Sequence, residues 1–119
     1  MQRLIAVDLD GTLTVESCWT EEECLIATPR KDMIDYVNKL YNEREHIVIW
    51  TARRDCLRHA TEYWLSKNGV HYHTLDMSKL PAHLYIDDKA INSLDTKEVI
   101  KYVDQHEKGG DIKLINMLR

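Results

Sequence analysis

The chain has 119 residues, 44% of them hydrophobic and 30% charged, with a formal net charge of −4. Length and mixture together describe one folded domain, residues 1–119, with apolar mass for a core, and they exclude a two-domain or low-complexity chain. The acidic balance, with a pI near 5.8, offers no whole-chain basic field for gripping nucleic acid, though a local patch is not excluded.

In chain order, Arg3 to Asp8 reads RLIAVD, a short apolar run ending in an acid, which predicts a first strand buried on both faces. Asp10-Gly11 turns the chain. Leu13 to Ala27 lacks a clean period and is expected to be a loop or small flap. Thr28 as N-cap and Pro29 at the first helical position open a helix that runs to about Glu45. Ile34, Val37, Leu40 and Tyr41 share its inner face. His46 to Trp50 reads HIVIW, a second buried strand.

A second helix is predicted from about Asp55 to Lys67, with Leu57, Ala60, Thr61, Trp64 and Leu65 as its inner stripe. Asn68-Gly69 closes it. Val70 to Leu75 follows as a third strand and Leu84 to Ile86 as a short fourth, and Thr96 to His106 as a further helix. Gly109-Gly110 ends that helix before a short apolar tail. Strands alternating with helices predict an α/β fold, a three-layer sandwich with a central parallel sheet covered on both faces.

Cys18, Cys24 and Cys56 are an odd number at spacings that match no zinc motif, which suggests reduced thiols in a cytoplasmic protein. The opening apolar run is too short for a signal peptide. No stretch is long enough to cross a membrane, so no membrane partner is expected.

In a parallel sheet the ligand sits outside the carboxyl ends of the strands. Asp8 ends strand one, Asp10 starts its loop, Thr51 follows strand two, and Asp87 and Asp88 follow strand four. Lys79, in the loop before strand four, can reach the same edge. Several carboxylates at one edge repel each other unless a cation neutralises them, and hard oxygen ligands select Mg²⁺. A lysine and a hydroxyl beside them suit a phosphoryl group, whose transfer needs charge neutralisation and in-line positioning. Singly, each of these residues reads as an ordinary turn acid, hydroxyl or surface lysine. Arg53 stands beside this edge as a candidate for recognising a second charge on the substrate, with surface arginine as the even alternative.

D-L-D-G-T at Asp8 to Thr12 resembles the first motif of the haloacid dehalogenase (HAD) superfamily. Thr51, Lys79 and the pair Asp87-Asp88 resemble its second, third and fourth motifs, in order. W-T-A-R from Trp50, T-E-Y-W-L from Thr61 and K-L-P-A-H-L-Y-I-D-D-K-A from Lys79 look like a small capless subgroup known as capsule biosynthesis phosphatases, with relatives in phages. Leu80 and His83 depart from that subgroup, which has Pro and an acid at those places.

The resemblance implies a Rossmann-like HAD core without a cap domain, with a short flap after strand one. It implies that Asp8 attacks phosphorus and that Asp10 acts as general acid, then base. Thr51 and Lys79, with Ala52 beside them, would hold phosphoryl oxygens. Asp8, Asp87 and the backbone carbonyl of Asp10 would hold Mg²⁺, with Asp88 as a water-mediated ligand or a positioner of Lys79. The expected activity is hydrolysis of a small phosphate ester, a sugar phosphate first, at an open site completed by a homo-oligomer, dimer or tetramer. A polynucleotide or nucleotide end is the alternative substrate. A receiver-like phospho-aspartate signalling module is the alternative from another class. Its acceptor aspartate follows the third strand, however, and Asp10 supplies an acid/base that favours turnover over storage.

Overall fold

The computed structural model describes residues 2–87 and 89–105. Three parallel strands form the sheet, in the order β1 (Leu4–Asp8), β2 (His46–Trp50), β3 (Thr74–Asp76). Asp8 pairs in register with Trp50, and Trp50 with Asp76, so all three strands finish at one edge. Parallel strands need crossovers. Helices α1 (Glu21–Ile26) and α2 (Lys31–Asn42) lie between β1 and β2. A 3₁₀ turn (Asp55–Leu57) and α3 (Arg58–Lys67) lie between β2 and β3, and α4 (Thr96–Gln105) follows. The molecule is thus an α/β fold with a parallel sheet.

The strand interiors alternate. Val7, Ile47 and Ile49 are buried, whereas Leu4, Ala6 and Trp50 are exposed. The expected burial on both faces is therefore corrected. Ile47 and Ile49 face the core, and fully burying each contributes about 1.5–3 kcal/mol. α2 packs on β2 and α4. Its Met33, Ile34, Tyr36, Val37 and Leu40 are buried, and the predicted α3 stripe (Leu57, Ala60, Thr61, Trp64, Leu65) is buried throughout. α3 ends where predicted. Asn68 N–H reaches Trp64 O at 3.0 Å, and Gly69 takes a positive φ of 66° that other residues adopt at a cost.

Several boundaries moved. Thr28 does not cap α2. Pro29 instead forms an antiparallel bridge with Thr14, and the helix opens at Lys31 after Arg30. Part of the segment expected to be a loop or small flap is helical. Thr20 and Glu23 form a reciprocal capping box that starts α1. α1 packs on α3, and Trp64 Nε1–H donates to Ala27 O at 2.8 Å. The third strand is shorter than expected, because His73 turns its Nδ1 to accept Ile47 N–H at 3.0 Å and stacks between Tyr41 and His46.

The fourth strand does not form. Leu84 and Ile86 are 84% and 103% exposed. Tyr85 hydroxyl donates back to Leu80 O and accepts Ala82 N–H at 3.2 Å, which folds its side chain onto the preceding turn. Among the described residues β1 is consequently an edge strand. Asp88, His106, Gly109-Gly110 and the apolar tail lie outside the described residues.

Candidate active site

The common end of β1 and β2 gathers the polar residues. Lys79 Nζ lies 3.3 Å from Asp8 Oδ1. Lys79 reaches that position because its own backbone N–H bonds Thr51 O at 3.2 Å, while Thr51 N–H bonds Asp76 O at 2.9 Å. Two main-chain bonds thus tie the Lys79 loop to β2 and β3. The ammonium also sits 5.2 Å from the Trp50 ring centroid and 4.8 Å from that of Tyr85, in cation–π range. Trp50, expected in the core, therefore belongs to the rim of this site.

After Asp8 the chain turns tightly. Thr12, Leu13 and Thr14 N–H groups all converge on Leu9 O, and Gly11 takes φ 80°. Arg30 Nη1 clamps Gly11 O at 3.1 Å and Nη2 reaches Thr96 Oγ1 at 3.0 Å, which joins the turn to the start of α4. Thr12 Oγ1 meets Ser93 Oγ at 2.8 Å.

Asp10 is held from three directions. Arg53 Nη2 donates to its Oδ1 at 2.8 Å and Nε to its Oδ2 at 3.0 Å, and Cys18 N–H reaches Oδ1 at 3.1 Å. Arg53 is 6% exposed. Burial opposes its charge, but the Asp10 carboxylate more than offsets that and raises its pKa. Burial also pushes the nearby Cys18 thiol up to about 11 and raises Cys24, with the Arg53 cation opposing both shifts.

The sequence-predicted residues separate into two groups. Asp8, Asp10, Thr51, Lys79 and Arg53 come together. Thr51 is buried, its Oγ1 accepting Arg53 N–H at 3.2 Å, and Ala52 beside it is exposed. Asp87 does not join them through a strand end. It is exposed, and its Oδ1 caps Lys89 N–H at 2.7 Å. Asp88 lies outside the described residues. Arg53, a candidate substrate contact with surface arginine as the even alternative, is buried and paired with Asp10, so the surface alternative is corrected.

Sequence reasoning placed Thr61 only in a helix stripe. It accepts Arg53 Nη1–H at 2.9 Å. A threonine among apolar stripe positions was the one available signal. Arg30 gave none.

Among the described residues no group of three or more His, Cys, Asp or Glu is close enough to hold a metal ion. The donors at hand, Asp8 and Asp10, are hard oxygens as Mg²⁺ requires, but they are fewer than such a site needs, and both Asp10 side-chain oxygens are engaged by Arg53.

No family model matches the chain, and no curated protein does. Solved structures do. An MCSG target from Vibrio cholerae is similar at 25% identity and a TM-score of 0.65, over 89% of this chain and 100% of that one. Chains of the Pnkp1/Rnl/Hen1 complex and of the Pnkp1/Rnl/Hen1 RNA repair complex are similar in fold at 18% and 16% identity, each with a TM-score of 0.56 over 91% of this chain. This chain spans 35% and 32% of their lengths.

Proposed function

We propose that the chain is a phosphomonoester hydrolase of the haloacid dehalogenase type, with Asp8 as nucleophile. The observation that carries this is the 3.3 Å approach of Lys79 Nζ to Asp8 Oδ1 at the end of β1, two residues before a second, rigidly held carboxylate. Lys79 offsets the charge on Asp8 and offers donors to an incoming phosphoryl oxygen. An Asp8 oxygen forms the bond to phosphorus as the ester P–O bond breaks. Asp10, once protonated on the Oδ2 lone pair that Arg53 leaves free, gives that proton to the leaving alkoxide. As a carboxylate, Asp10 then takes a proton from the water whose oxygen attacks phosphorus, which releases phosphate and restores Asp8. A sugar phosphate is the first substrate to test.

Mg²⁺ belongs to the proposal as a source of charge neutralisation at the phosphoryl oxygens. Asp8 and the Asp10 carbonyl would supply ligands, with Asp87 as the third. Among the described residues nothing pairs with the outer edge of β1, and Leu84 to Ile86 are exposed, so a strand edge without a partner there stands opposite an uncovered apolar run. Pairing them, as in a full Rossmann-like HAD core, would bring Asp87 beside Asp8. Magnesium should therefore slow amide hydrogen exchange over residues 84–87. Unchanged exchange there at a magnesium level that supports hydrolysis would remove Asp87 from the ligand set.

A nucleic-acid end is the second substrate class. Trp19 follows the residue whose N–H holds Asp10, and it is 79% exposed, a face on which a base could stack. The solved chains from an RNA repair complex share the fold. A magnesium-supplemented screen of sugar phosphates, nucleotides and 3′-phosphorylated oligonucleotides, run beside an Asp8→Asn control, tests both classes. Absence of hydrolysis on every ester would defeat the enzyme assignment.

A further inference from the structure

Arg53 is the most heavily committed charged side chain at the site. Nε and Nη2 grip both oxygens of Asp10 at 3.0 and 2.8 Å, and Nη1 donates to Thr61 Oγ1 at 2.9 Å. Its backbone N–H donates to Thr51 Oγ1 at 3.2 Å. Its side chain is 2% exposed and that of Asp10 22% exposed. An arginine turned toward a ligand would have to abandon a carboxylate and leave that charge short of a partner in a largely desolvated place, which is costly.

We propose that Arg53 is a positioning residue that acts through Asp10 and does not touch the substrate; this rests on the phosphatase assignment above. A two-pronged guanidinium fixes the plane of a carboxylate as well as its position. Cys18 N–H adds a third direction at 3.1 Å. Asp10 is thereby prevented from rotating about its side-chain bonds. Oδ1 already accepts two donors, so one lone pair on Oδ2 is left to carry the proton that is delivered and later removed, and its direction is fixed with the carboxylate. The same residue holds Thr51 through its main chain, so the candidate acid/base and a candidate phosphoryl contact are registered on one unit. A lysine at position 53 would keep the charge but give only a point contact.

The test separates the two half-reactions. With p-nitrophenyl phosphate the leaving group needs no proton, so formation of the phospho-enzyme does not use Asp10, whereas its hydrolysis does. With an alkyl phosphate both steps use it. Arg53→Gln and Arg53→Lys proteins, checked by thermal melting, should keep the first-turnover burst of p-nitrophenolate, with its dependence on ester concentration unchanged within about two-fold. Steady-state turnover of the aryl ester and all release from the alkyl ester should fall by about 100-fold, the lower range for loss of a positioned acid/base. Arg53→Lys carries the test where Arg53→Gln does not fold. A burst that needs much more ester would make Arg53 a substrate contact and overturn the proposal. An equal loss of burst and turnover would make it merely structural and overturn it too. An unmodified protein that hydrolyses neither ester would instead defeat the phosphatase assignment itself.

Discussion

Replacing Thr61 by valine tests the buried polar network with little change of shape. Thr61 is fully buried on α3, and its Oγ1 accepts Arg53 Nη1–H at 2.9 Å. Valine keeps the branched outline and removes the acceptor. A buried, charged donor then loses one of the partners that balance its desolvation, while its two bonds to Asp10 remain. Hydrogen bonds to charged groups contribute about 1.5–3 kcal/mol, so the loss should be about 2 kcal/mol. For a chain of 119 residues that corresponds to a melting temperature lower by about 8 °C. Thr61→Ser, which keeps the acceptor and loses one methyl, should cost about half as much. Scanning calorimetry of the three proteins measures the order. A valine protein as stable as the unmodified one, or less affected than the serine protein, would refute the claim that Thr61 supports Arg53.

Trp64→Phe should lower stability by about 2–3 kcal/mol in urea unfolding, because it strands Ala27 O and leaves space under the segment that α1 belongs to. In the folded protein one thiol, Cys56, should react quickly with Ellman's reagent, and all three should react in denaturant, since Cys18 and Cys24 are buried; two fast thiols at neutral pH would contradict that packing. Burial raises Cys18 to about 11 from an ordinary 9.0, so the folded state holds that proton longer than the unfolded chain. Its contribution is complete below pH 9 and disappears as pH rises toward 11, and Cys18→Ala should shrink the fall in urea midpoint across that window.

Much of the site was legible because its residues stand at strand ends. RLIAVD and HIVIW are short apolar runs with a polar residue just after or at their end, and that alone placed Asp8 beside Thr51. Lys79 was legible as a residue in reach of that edge, though not the two main-chain bonds that hold it there.

What escaped had physical causes. Thr20-Glu21-Glu22-Glu23 carries a capping-box signature that predicts α1, but without a longer apolar period behind it the segment read as a flap. Thr28-Pro29 has the residue types of a helix start, and here the proline serves an antiparallel bridge instead. Arg53 was invisible as a buried residue because arginine is mostly exposed unless paired, and its partner lies in another loop. Leu84 to Ile86 has strand composition, but three residues gain little from pairing unless something covers their side chains, and Tyr85 finds local partners.

The nucleophile assignment is tested most directly by looking for the phosphoryl group on Asp8. An Asp10→Asn protein should accept phosphorus from p-nitrophenyl phosphate and fail to release it, because the proton acceptor for water is gone. Acid-quenched protein, digested and weighed by mass spectrometry, should carry one added phosphoryl group on the peptide that contains Asp8, sensitive to hydroxylamine and absent after Asp8→Asn. Hydrolysis of the ester by the unmodified protein with no phosphorylated Asp8 in the trapped variant, or a phosphoryl group on any other residue, would contradict the account.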